Sequence, residues 1–172
     1  KIDSDLLYSD DYLKKILSDV DTIAMVGASS NWNRPSFFAM KYLLAKGFKV
    51  FPINPVAAGQ EILGELVYSN LNELPVKVDM VDIFRKPEDS GGVTDEAITH
   101  GAKVVWMQLG IVNQEAAARA EAAGMRVVMN RCPKIELFRP FWKPRLDLRQ
   151  TEQTLLTLYT ELGQFLYHHQ VF

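Results

Sequence analysis

The chain has 172 residues, 48% hydrophobic and 23% charged, enough for one globular domain with a sizeable core. A formal net charge of −2 excludes the basic footprint of a nucleic-acid binder and offers nothing to an anionic membrane surface. One cysteine, Cys132, excludes an internal disulfide or a thiolate zinc cluster. No apolar run nears the ~20 residues that span a bilayer, and KIDSDLLYSDDYLKK shows no signal-peptide pattern, so a reducing cytoplasm is the expected compartment.

In chain order, short Val- and Ile-rich runs alternate with helical patterns, which predicts a parallel sheet built from βαβ units. A first helix is expected over DYLKKILSDV, where Leu13, Ile16, Leu17 and Val20 recur at helical spacing. The strand TIAMV follows and runs into Gly27 and a polar loop. A second helix, PSFFAMKYLLAKG, has Pro35 at a favoured first helical position and Gly47 at its stop. Next comes the strand KVFPINP, broken at Pro55. From Ala57 to Pro75 the pattern is loose, with a strand candidate around ELVY and a helical turn in SNLNELP.

A clear strand is expected from Val78 to Phe84. Its successor helix, PEDSGGVTDEAITHG, is expected to be weakened near its start by Gly91 and Gly92. The strand KVVWMQLG, the helix NQEAAARAEAAG and the strand RVVMN complete the alternation, with Asn113 as N-cap and Gly124 as stop. Beyond Cys132, PKIELFRPFWKPRLDLRQ reads as an irregular arm. Residues 151–167 read as one amphipathic helix with Leu155, Leu158, Leu162, Phe165 and Leu166 along a stripe. The predicted architecture is therefore a doubly wound, Rossmann-like α/β domain over residues 1–136, its sheet mainly parallel with helices on both faces. Residues 137–172 form the arm and tail helix, either part of the same domain or a contact to a partner or to a second copy in a homo-oligomer.

Ligands of open parallel sheets bind beyond the C-terminal strand ends. Here those ends carry Gly27-Ala28-Ser29, Asn54-Pro55, Phe84-Arg85-Lys86, Gln108-Leu109-Gly110 and Asn130-Arg131-Cys132. Turn residues are needed at any strand end, but the arginines and amides exceed that need. In the first loop, the start of RPSFF offers unpaired helix N–H groups, Arg34 a cationic fork and Ser29 and Ser36 hydroxyl donors. Two readings compete: a phosphate site, or a solvated Arg34 with Ser36 inside an ordinary first turn. NAD fits poorly. Its fingerprint needs G-x-G-x-x-G and an acidic residue ending the second strand, whereas the loop reads GASSNW and that strand ends in Asn54-Pro55.

TIAMVGASSNWNRPSFFAMKYLLAKGFKVFPINP, VDMVDIFRKP, VVWMQLG and VVMNRCPKIE together resemble the small stand-alone CoA-binding proteins, relatives of the CoA-binding domain of the succinyl-CoA synthetase α subunit. The resemblance covers about residues 10 to 136. It implies CoA or an acyl-CoA across the strand ends, with the pyrophosphate near Ser29, Arg34 and Ser36. It places Asn54 and Pro55 at the adenine side, and Phe84 and Arg85 beside the nucleotide. Gln108 and Gly110 would face the pantetheine, and Asn130, Arg131 and Cys132 would close the far wall. Lys86 adds positive charge for an anionic ligand.

The synthetases work through a phosphorylated histidine on a separate domain. The histidines here, His100, His168 and His169, follow no strand at the proposed site, and no nucleophilic triad, metal-ligand spacing or carboxylate pair stands at the strand ends. Asp79 and Asp82 are read as structural. The leading expectation is a non-catalytic CoA or acyl-CoA binder, which senses or carries the ligand or serves a separate catalytic subunit. An NAD(P)-dependent oxidoreductase and a protein that docks a partner through its tail helix are the alternatives. Cys132 beside Arg131 is either a buried small hydrophobe or a thiolate able to exchange with the CoA thiol.

Overall fold

The computed structural model describes residues 7–139, and the body up to Glu136 forms one compact unit. Helix α1 (Asp10–Asp19) starts where the Ser9 hydroxyl accepts the Tyr12 N–H at 3.2 Å, and it buries Leu13, Ile16 and Leu17. Strand β1 (Thr22–Val26) leads to helix α2 (Pro35–Ala45), opened by Pro35, and then to strand β2 (Lys49–Ile53). The loose segment resolves into a small antiparallel hairpin, β3 (Glu61–Ile62) and β4 (Glu65–Leu66), and a 3₁₀ turn at Leu71–Glu73. Leu63 and Gly64 both have positive φ, the backbone of a tight two-residue hairpin turn.

Strand β5 (Met80–Ile83), helix α3 (Pro87–His100), strand β6 (Val104–Met107), helix α4 (Gln114–Ala122), strand β7 (Arg126–Val128) and the short helix α5 (Pro133–Leu137) follow. The five long strands form one all-parallel sheet in the order β2-β1-β5-β6-β7. Chain progression therefore reverses at β1: β2 lies on one side of it and β5 on the other. The crevice above the ends of β1 and β5 is the topological switch point, where such sheets bind ligands.

Both faces of the sheet are covered, which is why its strands read as continuous apolar runs. On one face Ala24, Phe51, Ile53, Val81, Ile83, Val105, Met107 and Val127 join Ala97 of α3 and Ala116, Ala117 and Ala120 of α4 in the core. The alternate positions, Ile23, Met25, Val50, Met80, Val104, Trp106 and Val128, are buried on the other face, as are the apolar residues of α1 and Met40 and Leu43 of α2. One position breaks the run. Asp82, whose register partners are Met25 and Trp106, is fully buried.

Helix α3 is continuous from Pro87 through Gly91 and Gly92. Pro87 opens the helix, the Ser90 hydroxyl donates to the Pro87 carbonyl at 2.6 Å, and a neighbouring helix supports the segment: Asn113 Nδ2 donates to Ser90 Oγ at 3.1 Å and Arg119 pairs with Asp95. A Cβ at Gly91 would lie 3.4 Å from Asn113 Nδ2, an ordinary contact distance, so Gly91 faces the neighbouring helix. The segment after Cys132 is not irregular from its start, because Pro133 opens α5 and no further proline interrupts it before Leu137. The tail helix expected over 151–167 lies outside the described residues.

At the opposite end of the strands from the switch point, Asp79 is structural as expected. Burial alone would raise its pKa, but the N–H groups of Asp21 and Thr22, the Thr22 hydroxyl and Lys103 hold the carboxylate down at about 2. His100 is likewise structural, its Nε2 accepting the Val78 N–H at 3.0 Å.

The chain leaving β1 passes close to the chain leaving β5 at Gly27. Its φ is +91°, and a Cβ there would meet the Phe84 carbonyl oxygen at 2.5 Å and Arg85 Cδ at 3.2 Å. Gly27→Ala should therefore destabilise the fold by about 3 kcal/mol, combining positive-φ strain with a backbone clash. Urea denaturation measures it. A loss under about 1 kcal/mol would mean that the strands separate freely here.

Candidate functional site

A cavity of about 1090 Å³ opens over the switch point. It is lined by Gly27, Ala28, Ser29, Arg34, Ser36, Asn54, Phe84, Arg85, Lys86, Gln108, Gly110 and Cys132, twelve of the residues singled out from the sequence. Each comes from a strand end or the loop after it, so the parallel sheet brings five distant segments to one place.

The loop from Gly27 to Arg34 is shaped by its side chains. The Ser29 hydroxyl accepts the Asn31 N–H at 3.1 Å, and Asn31 Oδ1 accepts the Asn33 N–H at 3.0 Å. These turns do locally what extra glycines do in a dinucleotide loop. Arg34 is the N-cap residue of α2 but makes no side-chain cap bond, and its exposed guanidinium has no ion-pair partner among the described residues. Ser36, in the first turn, is only 4% exposed and lines the cavity, yet its hydroxyl has no hydrogen-bond partner among the described residues. Across the crevice stand Lys86 and Arg85. Arg85 is held to Asp89 by an exposed i,i+4 pair at 3.1 Å, a contact too weak to lock it.

Asn54 acts as a clamp. Its Nδ2 donates to the Ala28 carbonyl at 2.9 Å and its Oδ1 accepts the Val56 N–H at 3.0 Å, tying the end of β2 to the first loop. A dinucleotide enzyme needs a carboxylate at this strand end. Here the position holds an amide already engaged in both directions.

Three residues singled out from the sequence do not line the cavity. Pro55 opens an exposed 3₁₀ turn, Pro55–Ala57. Asn130 adopts positive φ and accepts the Gly110 N–H at 2.8 Å, so it orders the β6 loop from behind. Arg131 packs over the Tyr8 ring with its Nη1 donating to the Asn130 carbonyl, while its own carbonyl accepts Trp106 Nε1 at 2.7 Å.

Other lining residues were not singled out from the sequence. Asn33, Pro35, Phe38 and Ala39 follow from reading the first turn of α2 as cavity wall rather than helix interior. Lys134 and Ile135 arrive on α5, the segment read as irregular. Phe38, Leu109 and Ile135 are large, apolar and about half exposed, which gives the cavity a greasy rim beside its cations. Asp82 lies beneath the cavity, and the available signal was a lone carboxylate in a strand buried on both faces.

Gln108 is 5% exposed, and its Nε2 donates to both carboxylate oxygens of Asp82, at 2.8 and 3.1 Å. Burial pushes the Asp82 pKa up to about 7, with the Gln108 bond opposing. Burial also pushes the Cys132 thiol up, and the nearby Asp82 adds to the shift. Arg131 therefore does not favour a Cys132 thiolate.

Folding raises the proton affinity of Asp82, so its contribution to stability is fully present below about pH 4 and is lost as pH rises through about 7. Asp82→Asn, isosteric and uncharged, should gain stability relative to the natural chain between those limits. Denaturant melts at acidic, neutral and mildly alkaline pH measure the difference. A difference independent of pH would mean that Asp82 titrates as an ordinary carboxylate.

Comparison with known proteins bears on the ligand class. The model of the CoA binding domain family matches residues 21–137. YneT of Bacillus subtilis is 35% identical over 123 residues, covering 72% of this chain and 90% of YneT. A hypothetical protein from Pyrococcus horikoshii OT3 has a solved structure with a TM-score of 0.72 and 39% identity, covering 76% of this chain and 90% of that one. The dinucleotide-forming acetyl-coenzyme A synthetase 1 of Ca. Korarchaeum cryptofilum, solved with phosphate and ADP, matches with a TM-score of 0.56 and 30% identity. That match covers 62% of this chain and 25% of the synthetase. The family match runs from the residue before β1 to the end of α5 and so takes in every strand that builds the cavity; the chain belongs to the CoA binding domain family.

Proposed function

We propose that the protein binds CoA, or an acyl-CoA, in the switch-point cavity and acts as a binding module rather than a catalyst. The observation that carries this reading is the start of α2. There the buried Ser36 hydroxyl and the Arg34 guanidinium, both without a side-chain partner among the described residues, line the cavity at the helix N-terminus. A pyrophosphate placed there gains charge-assisted hydrogen bonds and the favourable end of the helix dipole. Arg85 and Lys86 face the same anion from the end of β5. The adenosine then lies toward Asn54, and the pantetheine arm runs toward Gln108, Gly110 and the apolar rim.

Similarity to an acetyl-CoA synthetase supports this ligand class over NAD, and so does the doubly engaged Asn54 amide where a ribose-binding carboxylate would stand. The non-catalytic role is supported by the state of the nucleophile at the cavity. Cys132 is buried, and burial together with the nearby Asp82 pushes its thiol up, away from the reactive thiolate.

Calorimetric titration with CoA, acetyl-CoA, NAD and ADP tests the ligand. CoA at a hundredfold excess over its Kd should stabilise the fold by about 2.7 kcal/mol. A response to NAD with none to CoA would overturn the reading. Arg34→Ala should weaken CoA binding about tenfold or more while leaving Tm unchanged, since a hydrogen bond to a charged group contributes about 1.5–3 kcal/mol. The Arg34 side chain makes no hydrogen bond or ion pair among the described residues, and its backbone bonds are kept in alanine. Unchanged affinity would remove Arg34 from the phosphate site. Incubated with acetyl-CoA, the protein should leave the thioester intact by mass spectrometry, and turnover above the buffer rate would make it an enzyme.

A further inference from the structure

We propose that Asp82 is a positioning residue that holds the Gln108 carboxamide by its nitrogen and presents the amide oxygen to the cavity as acceptor for an N–H of the pantetheine arm. The inference rests on the CoA reading above and assigns how its pantetheine end is recognised.

An ionised carboxyl group in the middle of a strand buried on both faces is costly, and an apolar side chain would fill the same space without that cost. Asp82 nevertheless stands between apolar register partners, and among the described residues the one group that donates to its carboxylate is the Gln108 amide. Gln108 itself is anchored through its backbone. Its N–H donates to the Ile83 carbonyl at 3.3 Å, and its carbonyl accepts the Ile111 N–H at 2.9 Å. Only the carboxamide is left to choose an orientation.

A carboxylate accepts and cannot donate, so it takes the NH₂ group and turns the Gln108 oxygen away from itself. That oxygen accepts no hydrogen bond among the described residues, although Gln108 is nineteen-twentieths buried and lines the cavity. A buried acceptor without a donor calls for one from the ligand. The pantetheine arm carries secondary amides whose N–H groups are such donors. The nucleotide end of CoA also carries N–H groups, on the adenine amine, but in the binding mode proposed above the adenosine lies toward Asn54 and the pantetheine toward Gln108. Without Asp82 the carboxamide is free to turn its NH₂ to the cavity, which repels an N–H and loses the selection.

The test is calorimetry at about pH 8 with two ligands: CoA, and adenosine 3′,5′-bisphosphate, which has no pantetheine arm. In Asp82→Asn, affinity for CoA should fall about tenfold while affinity for the bisphosphate stays within about twofold. Asp82→Leu removes the buried charge altogether and should give the same selective loss, so the test does not depend on one variant folding. Gln108→Met should match them, and adding Asp82→Asn to it should cost nothing further. Equal losses for both ligands would make Asp82 a purely structural residue, and unchanged CoA affinity would leave Gln108 unpositioned by it. Either result overturns the inference. A natural chain that binds neither ligand overturns the CoA reading itself, a distinguishable failure.

Discussion

The close passage of β1 and β5 at Gly27 governs the rest of the molecule. The chain leaves β1 with positive φ at Gly27, where the Phe84 carbonyl stands so near that no side chain fits between them. Because β2 and β5 lie on opposite sides of β1, the helices that follow β1 and β5 depart to opposite faces of the sheet. A crevice is left above the two strand ends. The start of α2 and the Arg85–Lys86 pair line one cavity because the strand ends below them are packed side by side.

Within that frame, polar side chains divide into those that hold loops and those left for a ligand. Asn54, Asn130, Ser29 and Asn31 spend their hydrogen bonds inside the protein. The side chains of Arg34 and Ser36 and the oxygen of Gln108 have no such partner among the described residues, and all three residues line the cavity. In a folded protein nearly every buried polar group finds a partner, and on this ground an anionic, N–H-bearing ligand is proposed.

Asp82 and Asp79 show how place alone separates two carboxylates of the same strand segment. Asp79, at the strand's start, meets N–H groups, a hydroxyl and a lysine, and is held ionised. Asp82, three residues on, is enclosed by apolar side chains with a single amide partner and is pushed toward neutrality. The first secures the sheet. The second underlies the floor of the cavity.

By itself the sequence determined the alternation of elements, the parallel sheet and the strand ends that carry polar residues. Those features are local: period, β-branching, caps and prolines act over a few residues, as at Pro35, Asn113 and the TIAMV run. Twelve of the cavity's lining residues were legible because a parallel sheet gathers successive strand ends at one edge. The sequence did not reveal that Pro55, Asn130 and Arg131 turn away from the cavity, that Gly91 stands in an unbroken helix, or that Asp82 meets Gln108. Tertiary structure decided these: Asn130, Arg131 and Asp82 depend on partners 20 or more residues away, Gly110, Tyr8 and Gln108. Side-chain direction at a loop, and the worth of a buried charge, are set by whatever packs against them.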